Sequence, residues 1–152
     1  YYIHMKNIFY LLGLIIFGTI VSCEREIESD AIANPVNITG QWKVNAYNDS
    51  ILLYGPFKVV TLKDTSAGSD SITIQDTDMK FWEFRVKARA DETSGTFGTK
   101  LSNCEVRGEE VGIKISNGKI LDTDSIYFEI QFEDDETPYG VTYKIKGRRT
   151  IA

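Results

Sequence analysis

From Asn37 onward, apolar and polar residues alternate with a period of two, in short runs separated by turn residues. That period places successive side chains on opposite faces of an extended strand. In the run 40–47, Trp42, Val44 and Ala46 share one face, and Gln41, Lys43 and Asn45 the other. Runs over 57–62 and 71–75 follow, the second with Ile72 and Ile74 together. The run 80–89 is the clearest: Trp82, Phe84, Val86 and Ala88 face one way, Glu83, Arg85, Lys87 and Arg89 the other. Phe97, Thr99 and Leu101 share the inner face of 96–102. Segments 111–116 and 119–121 flank Asn117-Gly118, a dipeptide that supplies the positive φ angles of a two-residue hairpin turn. Ile126, Phe128, Ile130 and Phe132 point inward in 125–132, and Tyr139, Val141, Tyr143, Ile145 and Gly147 in 139–149. The pattern predicts an all-β domain over 37–152 with eight or nine antiparallel strands, as a barrel or a sandwich. Closure into a barrel would remove free edges and enclose an interior able to hold one small ligand.

A different pattern precedes this domain. Met5-Lys6-Asn7 is followed by fourteen uncharged residues, Ile8 to Val21, and then by Ser22-Cys23. A basic start, a short apolar stretch and small residues before a cut site predict a secretory signal peptide over 1–22, with translation starting at Met5. As a helix the stretch would reach only about 21 Å, short of the ~30 Å hydrocarbon core. The Ile20-Val21-Ser22-Cys23 string resembles the bacterial lipobox, which implies that Cys23 is acylated and becomes the first mature residue. The polar segment 23–36 is expected to be a flexible tether. Its acidic residues after Cys23 resemble a surface-export signal of lipoproteins from Gram-negative anaerobes of the gut, and suit an ordinary charged linker equally. The expected location is therefore outside the cytoplasm, anchored in the outer membrane and facing the periplasm or the cell surface.

That leader changes which chemistries are open. The one histidine, His4, precedes the expected cleavage site. A mature chain without histidine excludes Ser-His-Asp and Cys-His catalysis and His-based zinc sites. With Cys23 acylated, Cys104 has no disulfide partner in the chain and reads as a small buried apolar residue. The net charge is −5, without the basic footprint of a nucleic-acid binder. The run Glu133-Asp134-Asp135-Glu136 reads as a solvated turn. Acidic residues fall at turns or outward positions, so no catalytic pair, metal site or cofactor is assigned, and the reading leans away from an enzyme.

Two ends of the domain point to a particular barrel. Gly40-Gln41-Trp42 opens the first strand, and Gly147-Arg148-Arg149 closes the last. A G-x-W opening with a closing arginine resembles the lipocalin (calycin) pattern, in which the arginine packs over the tryptophan. Parity favours Arg149 for that role, with Arg148 the alternative. Between these ends, Thr61-Leu62-Lys63-Asp64-Thr65-Ser66-Ala67, Asp70-Ser71-Ile72 and Phe81-Trp82-Glu83-Phe84-Arg85-Val86-Lys87 resemble the family of small bacterial lipoproteins described as lipid-binding putative hydrolases, with a lipocalin-like fold. The resemblance implies a membrane partner through the acyl anchor and a small hydrophobic or lipid-like ligand. Candidate ligand contacts are Leu53, Tyr54 and Phe57 near the first connection, with Trp82, Phe84, Phe97, Phe128 and Tyr143 on inward faces. These aromatics either line a pocket or fill the barrel. Ile51-Leu52-Leu53-Tyr54 either lids the mouth or belongs to the second strand, the second being preferred. A filled barrel would instead suit an interaction module for envelope proteins or glycans.

Overall fold

The structure is a computed structural model that describes residues 34–76, 78–106 and 111–151. The expected leader, Met5, Cys23 and the tether as far as 33 lie outside the described residues. Eight strands follow in chain order: β1 Gly40–Asn48, β2 Ile51–Lys63, β3 Ser71–Asp76, β4 Arg85–Asp91, β5 Thr96–Asn103, β6 Gly112–Leu121, β7 Ser125–Phe132 and β8 Tyr143–Arg149. Each pairs antiparallel with its sequence neighbour, and β8 returns to β1, so the sheet is a closed up-and-down barrel with no edge to protect. No helix occurs among the described residues. Of the barrel and the sandwich that the alternation allowed, the barrel is the fold observed, and it is consistent with the lipocalin-like barrel that the resemblance implied.

Alternation set the core. Trp42, Val44, Phe57, Val59, Ile74, Val86, Ile113, Ile115, Ile126, Phe128, Ile130, Phe132 and Ile145 are all buried in one cluster. The order of strands is local at every step, since each hairpin joins neighbours. Only the β1–β8 seam is long-range, with Trp42 opposite Arg149 and Val44 opposite Gly147.

The structure corrects the Asn117-Gly118 turn. β6 runs straight through it. Asn117 does have positive φ (52°), but the dipeptide makes a bulge, with register shifts against both β5 and β7. The reason lies in the core. Ile113 and Ile115 are inward at odd positions, while Gly118 and Ile120 are buried at even ones. An extra residue is needed to change that phase, and a bulge supplies it. A Cβ on Gly118 would run into the Phe97 ring and backbone, so glycine is required where β5 approaches.

Other bounds shift for related reasons. Leu101 is 57% exposed rather than inward, because β5 slips against β6 on either side of Thr99 and brings Ser102 opposite the buried Ile113. β4 begins at Arg85, so Lys80 to Phe84 form the loop from β3. β8 begins at Tyr143, and Tyr139, at φ 57°, lies in the preceding loop. Ile51 to Tyr54 belong to β2, which overruns the barrel rim as a ribbon with β1.

Candidate functional site

The barrel has two unlike ends. At one, the chain crosses from Val36 to Ile38 before entering β1. The Val36 N–H donates to the Glu92 carbonyl (2.7 Å), and Ile38 is 1% exposed. Arg149 lies with its guanidinium carbon 4.1 Å from the centre of the Trp42 ring. It donates to the carbonyls of Thr39 (2.6 Å), Asn37 (2.8 Å) and Thr123 (3.1 Å). A guanidinium suits this place because its face stacks on an indole while its edge donors satisfy several carbonyls. Gly40 makes the room: at φ 153° a Cβ would collide with the Arg149 guanidinium. Beneath, the Trp42 Nε1–H donates to Thr61 Oγ1 (2.9 Å), whose hydroxyl donates to the Ile38 carbonyl (2.6 Å). Thr61 was missed from sequence. Its signal was a polar residue on the inward parity of Phe57 and Val59. Arg148 points outward in β8 and takes no part.

The other end is a mouth made by the β1–β2 ribbon and the loops after β3 and β7. Here seven aromatic side chains meet: Tyr54, Phe57, Phe81, Trp82, Phe84, Phe132 and Tyr143. Trp82 lies flat on Phe132, with centroids 4.3 Å apart and planes 3° from parallel. Phe81 stacks on Phe57 at 5.1 Å and meets Tyr143 edge-on at 5.3 Å. Phe81 and Trp82 are half-buried and form the outermost layer. Of the expected ligand contacts, Tyr54, Phe57, Trp82, Phe84 and Tyr143 come together at this mouth. Phe97 and Phe128 do not. They pair with each other at 5.8 Å on the far side of the core. Leu53 sits in the bulge of the ribbon, 47% exposed, outside the aromatic group.

Polar groups hold the aromatics in place. Asp76, 3% exposed at the end of β3, accepts the Asp78 N–H (3.1 Å) and the Phe81 N–H (3.0 Å), which fixes the loop carrying Phe81 and Trp82. The Trp82 Nε1–H donates to Asp134 (3.1 Å), and the Tyr143 hydroxyl to Asp135 (2.8 Å). Burial, then the neighbouring Asp135 carboxylate, pushes the Tyr143 phenol well above its usual range, so it stays a neutral donor. Glu133 accepts the Gly112 N–H at 2.7 Å. The acidic run is therefore a bracket for the mouth and not merely a solvated turn. Only the folded register shows this, because its partners lie in other elements: Trp82 in the loop after β3, Gly112 in β6 and Tyr143 in β8.

Among the described residues, the interior is filled. A void wide enough for water would leave accessible surface on its lining. Trp42, Ala46, Val59, Ile74, Val86, Phe128, Ile130 and Phe132 have none. Larger clefts described on the molecule lie outside, on the wall of β4–β6, with volumes of about 630 and 810 Å³. Their linings include Arg89, Lys114 and Lys119, so they are not apolar chambers. Asp76 is the sole buried carboxylate among the described residues, and both its oxygens are engaged by its own loop. Nor do the described residues contain a group of three or more His, Cys, Asp or Glu that could hold a metal ion.

The arrangement can bind an apolar group against stacked aromatic faces, at a mouth whose cover is a loop. No curated protein matches the chain. A family model does match, over residues 28–151, covering the entire barrel and most of the chain. The chain thus belongs to the family described as lipid-binding putative hydrolases.

Proposed function

We propose that this protein is a lipid-anchored, extracytoplasmic lipoprotein that binds a small hydrophobic or lipid-like ligand at the mouth of its barrel. Its place would be the outer membrane, held by acyl chains on Cys23, with the barrel in the periplasm or at the cell surface. The observation that carries the ligand reading is the stacked aromatic mouth covered by the Phe81–Trp82 loop. The filled interior restricts the ligand to space that this loop vacates. Apolar contact there is worth about 25 cal/mol per Å² removed from water. The loop is held through Asp76, the Trp82–Asp134 bond and the stacking of Phe81 and Trp82, and an apolar ligand entering beneath it would replace that stacking with its own contact.

A fluorescence titration tests this. The chain has two tryptophans, and Trp42 is fully buried, so changes in emission on adding a fatty acid report Trp82. Saturable quenching or a blue shift is expected with the soluble fragment 27–152. Measured by isothermal titration calorimetry, since the variant lacks the reporting indole, Trp82→Ala should weaken binding about tenfold, the equivalent of one lost aromatic contact of ~1.4 kcal/mol. Unchanged emission, or equal affinity in the variant, would discard the mouth as a binding site. Intact mass measurement of protein from its own envelope checks the acyl chains on Cys23.

One observation favours a second reading. The interior without water-sized voids suits a module whose barrel is a rigid scaffold and whose loops dock other envelope molecules. Hydrolysis, present in the family's description, has no residue in this structure to which a role is assigned.

A further inference from the structure

The outer wall opposite the β4–β6 clefts has an unusual charge pattern. Lys43 in β1 is directly opposite Lys58 in β2 and directly opposite Arg148 in β8. Three cations thus lie side by side across three adjacent strands. Cross-strand partners on one face are about 4.5–5.5 Å apart at Cβ, and like charges so placed repel. Neither Lys43, Lys58 nor Arg148 has an ion-pair partner among the described residues. Two and four positions toward the mouth, Lys146 lies opposite Asn45 and Lys144 opposite Tyr47. The acids on this side are few: Asp49 pairs with Lys144 (3.6 Å), Glu129 lies across from Lys144, and Asp78 lines a 210 Å³ cleft with Lys43 and Lys58. In a chain of net charge −5, this wall is positive.

The same ribbon ends in an apolar tip. Ile51, Leu52 and Leu53 are 67%, 56% and 47% exposed. Leu52 is opposite Tyr47, and Lys146 lies 5.0 Å over the Tyr47 ring. The tip and the basic wall are therefore one continuous surface, with Lys146 about 7 Å along the strand from the Leu52 row. Two bulges in β2, at Leu53 and at Gly55-Pro56, carry the tip beyond the rim.

Exposed leucine and isoleucine bordered by cations match the layers of an anionic bilayer, where acyl chains lie just below phosphates. We infer that the β1–β2 tip and the basic wall of β8–β1–β2 dock the barrel on an anionic lipid surface. Ile51, Leu52 and Leu53 enter the headgroup–acyl boundary, and the wall cations meet lipid phosphates. The docking does not require a ligand at the mouth. It would orient the barrel on the membrane, where an acyl anchor alone would leave it free to turn.

Vesicle sedimentation of fragment 27–152, which contains the whole closed sheet and its core, tests the inference. Vesicles of phosphatidylcholine alone are compared with vesicles holding about 30 mol % phosphatidylglycerol. Binding is expected on the anionic vesicles and should fall as salt rises from roughly 0.05 to 0.5 M. Lys43→Gln with Lys58→Gln should weaken it about 25-fold, near fivefold for each charge. Ile51→Ser, Leu52→Ser and Leu53→Ser together should abolish it while circular dichroism stays unchanged, since all three side chains are exposed. The salt dependence of the unaltered protein reads the wall without any substitution. Equal binding to neutral vesicles, no binding, or displacement by excess soluble fatty acid would each overturn the inference. So would a concentration-dependent dimer that the tip variant abolishes, which would make a second copy of the chain the occupant.

Discussion

Replacing Trp42 by alanine should lower the free energy of unfolding by about 3–5 kcal/mol, read from urea melts of fragment 27–152. Trp42 is fully buried, so its loss leaves a void that the closed sheet has little freedom to collapse into. It also removes the indole N–H that Thr61 Oγ1 accepts within the core, leaving that hydroxyl its donation to the Ile38 carbonyl but no indole donor. Arg149→Ala should cost less, about 1–3 kcal/mol. That substitution loses the stacking on Trp42 and leaves three carbonyls without their donor, but those carbonyls lie near solvent, which can serve them. Arg149→Lys should recover little, because an ammonium cannot stack and fork at once. If the Trp42 and Arg149 variants both melt with the parent, the two residues do not hold this end of the barrel together.

Phe132→Ala should be similarly severe, at about 3–5 kcal/mol, with a second consequence at the mouth. Phe132 has no exposed surface and touches Phe81, Trp82, Phe84 and Tyr143. Removing its ring takes the stacking partner from Trp82, so the half-buried indole should tip outward toward solvent and its emission shift to the red. The new void would be lined by apolar groups, and apolar voids of this kind stay dry and accept small apolar molecules. Addition of benzene or a short alkane should then raise the stability of the variant but not of the parent. A variant less than about 1 kcal/mol below the parent would mean that the mouth layer repacks freely and is not the rigid stack described.

Much of the fold was legible because its cause is local. A period of two is enough to put Trp42, Val44, Phe128 and Ile145 inside, whatever each strand pairs with. Gly40, Trp42 and Arg149 could be linked before the fold was known, since a stacking pair needs only two complementary faces and compatible parity. The failures share a different cause. Asn117-Gly118 has the backbone preference of a turn, and the same preference serves a bulge; the choice fell to the core, which had to switch phase between Ile115 and Gly118. Leu101 was assigned to the wrong face because β5 slips against β6, and no residue within β5 records that slip. At the mouth, Trp82, Phe84, Tyr54, Phe57 and Tyr143 were recognisable as large apolar groups. Phe81 was not, as it sits out of phase in a run that looked like a strand. Asp134 and Asp135 read as solvated because their partners, Trp82 and Tyr143, lie in other elements.

The sequence by itself determined the class of fold, the content of the core and the family, all of which follow from side-chain chemistry repeated along the chain. It left open whether the inward aromatics line a pocket or fill the barrel. That choice belongs to the tertiary structure, because it depends on closure. Once β8 meets β1, the interior volume is set by the sheet, and these side chains occupy it without leaving room for water. The remaining aromatic surface is pushed to the mouth, under the Phe81–Trp82 loop. Lys43, Lys58 and Arg148 are similarly scattered along the chain and become one positive row only through register. Packing density and strand register are properties of the closed sheet as a whole, and no single strand encodes them.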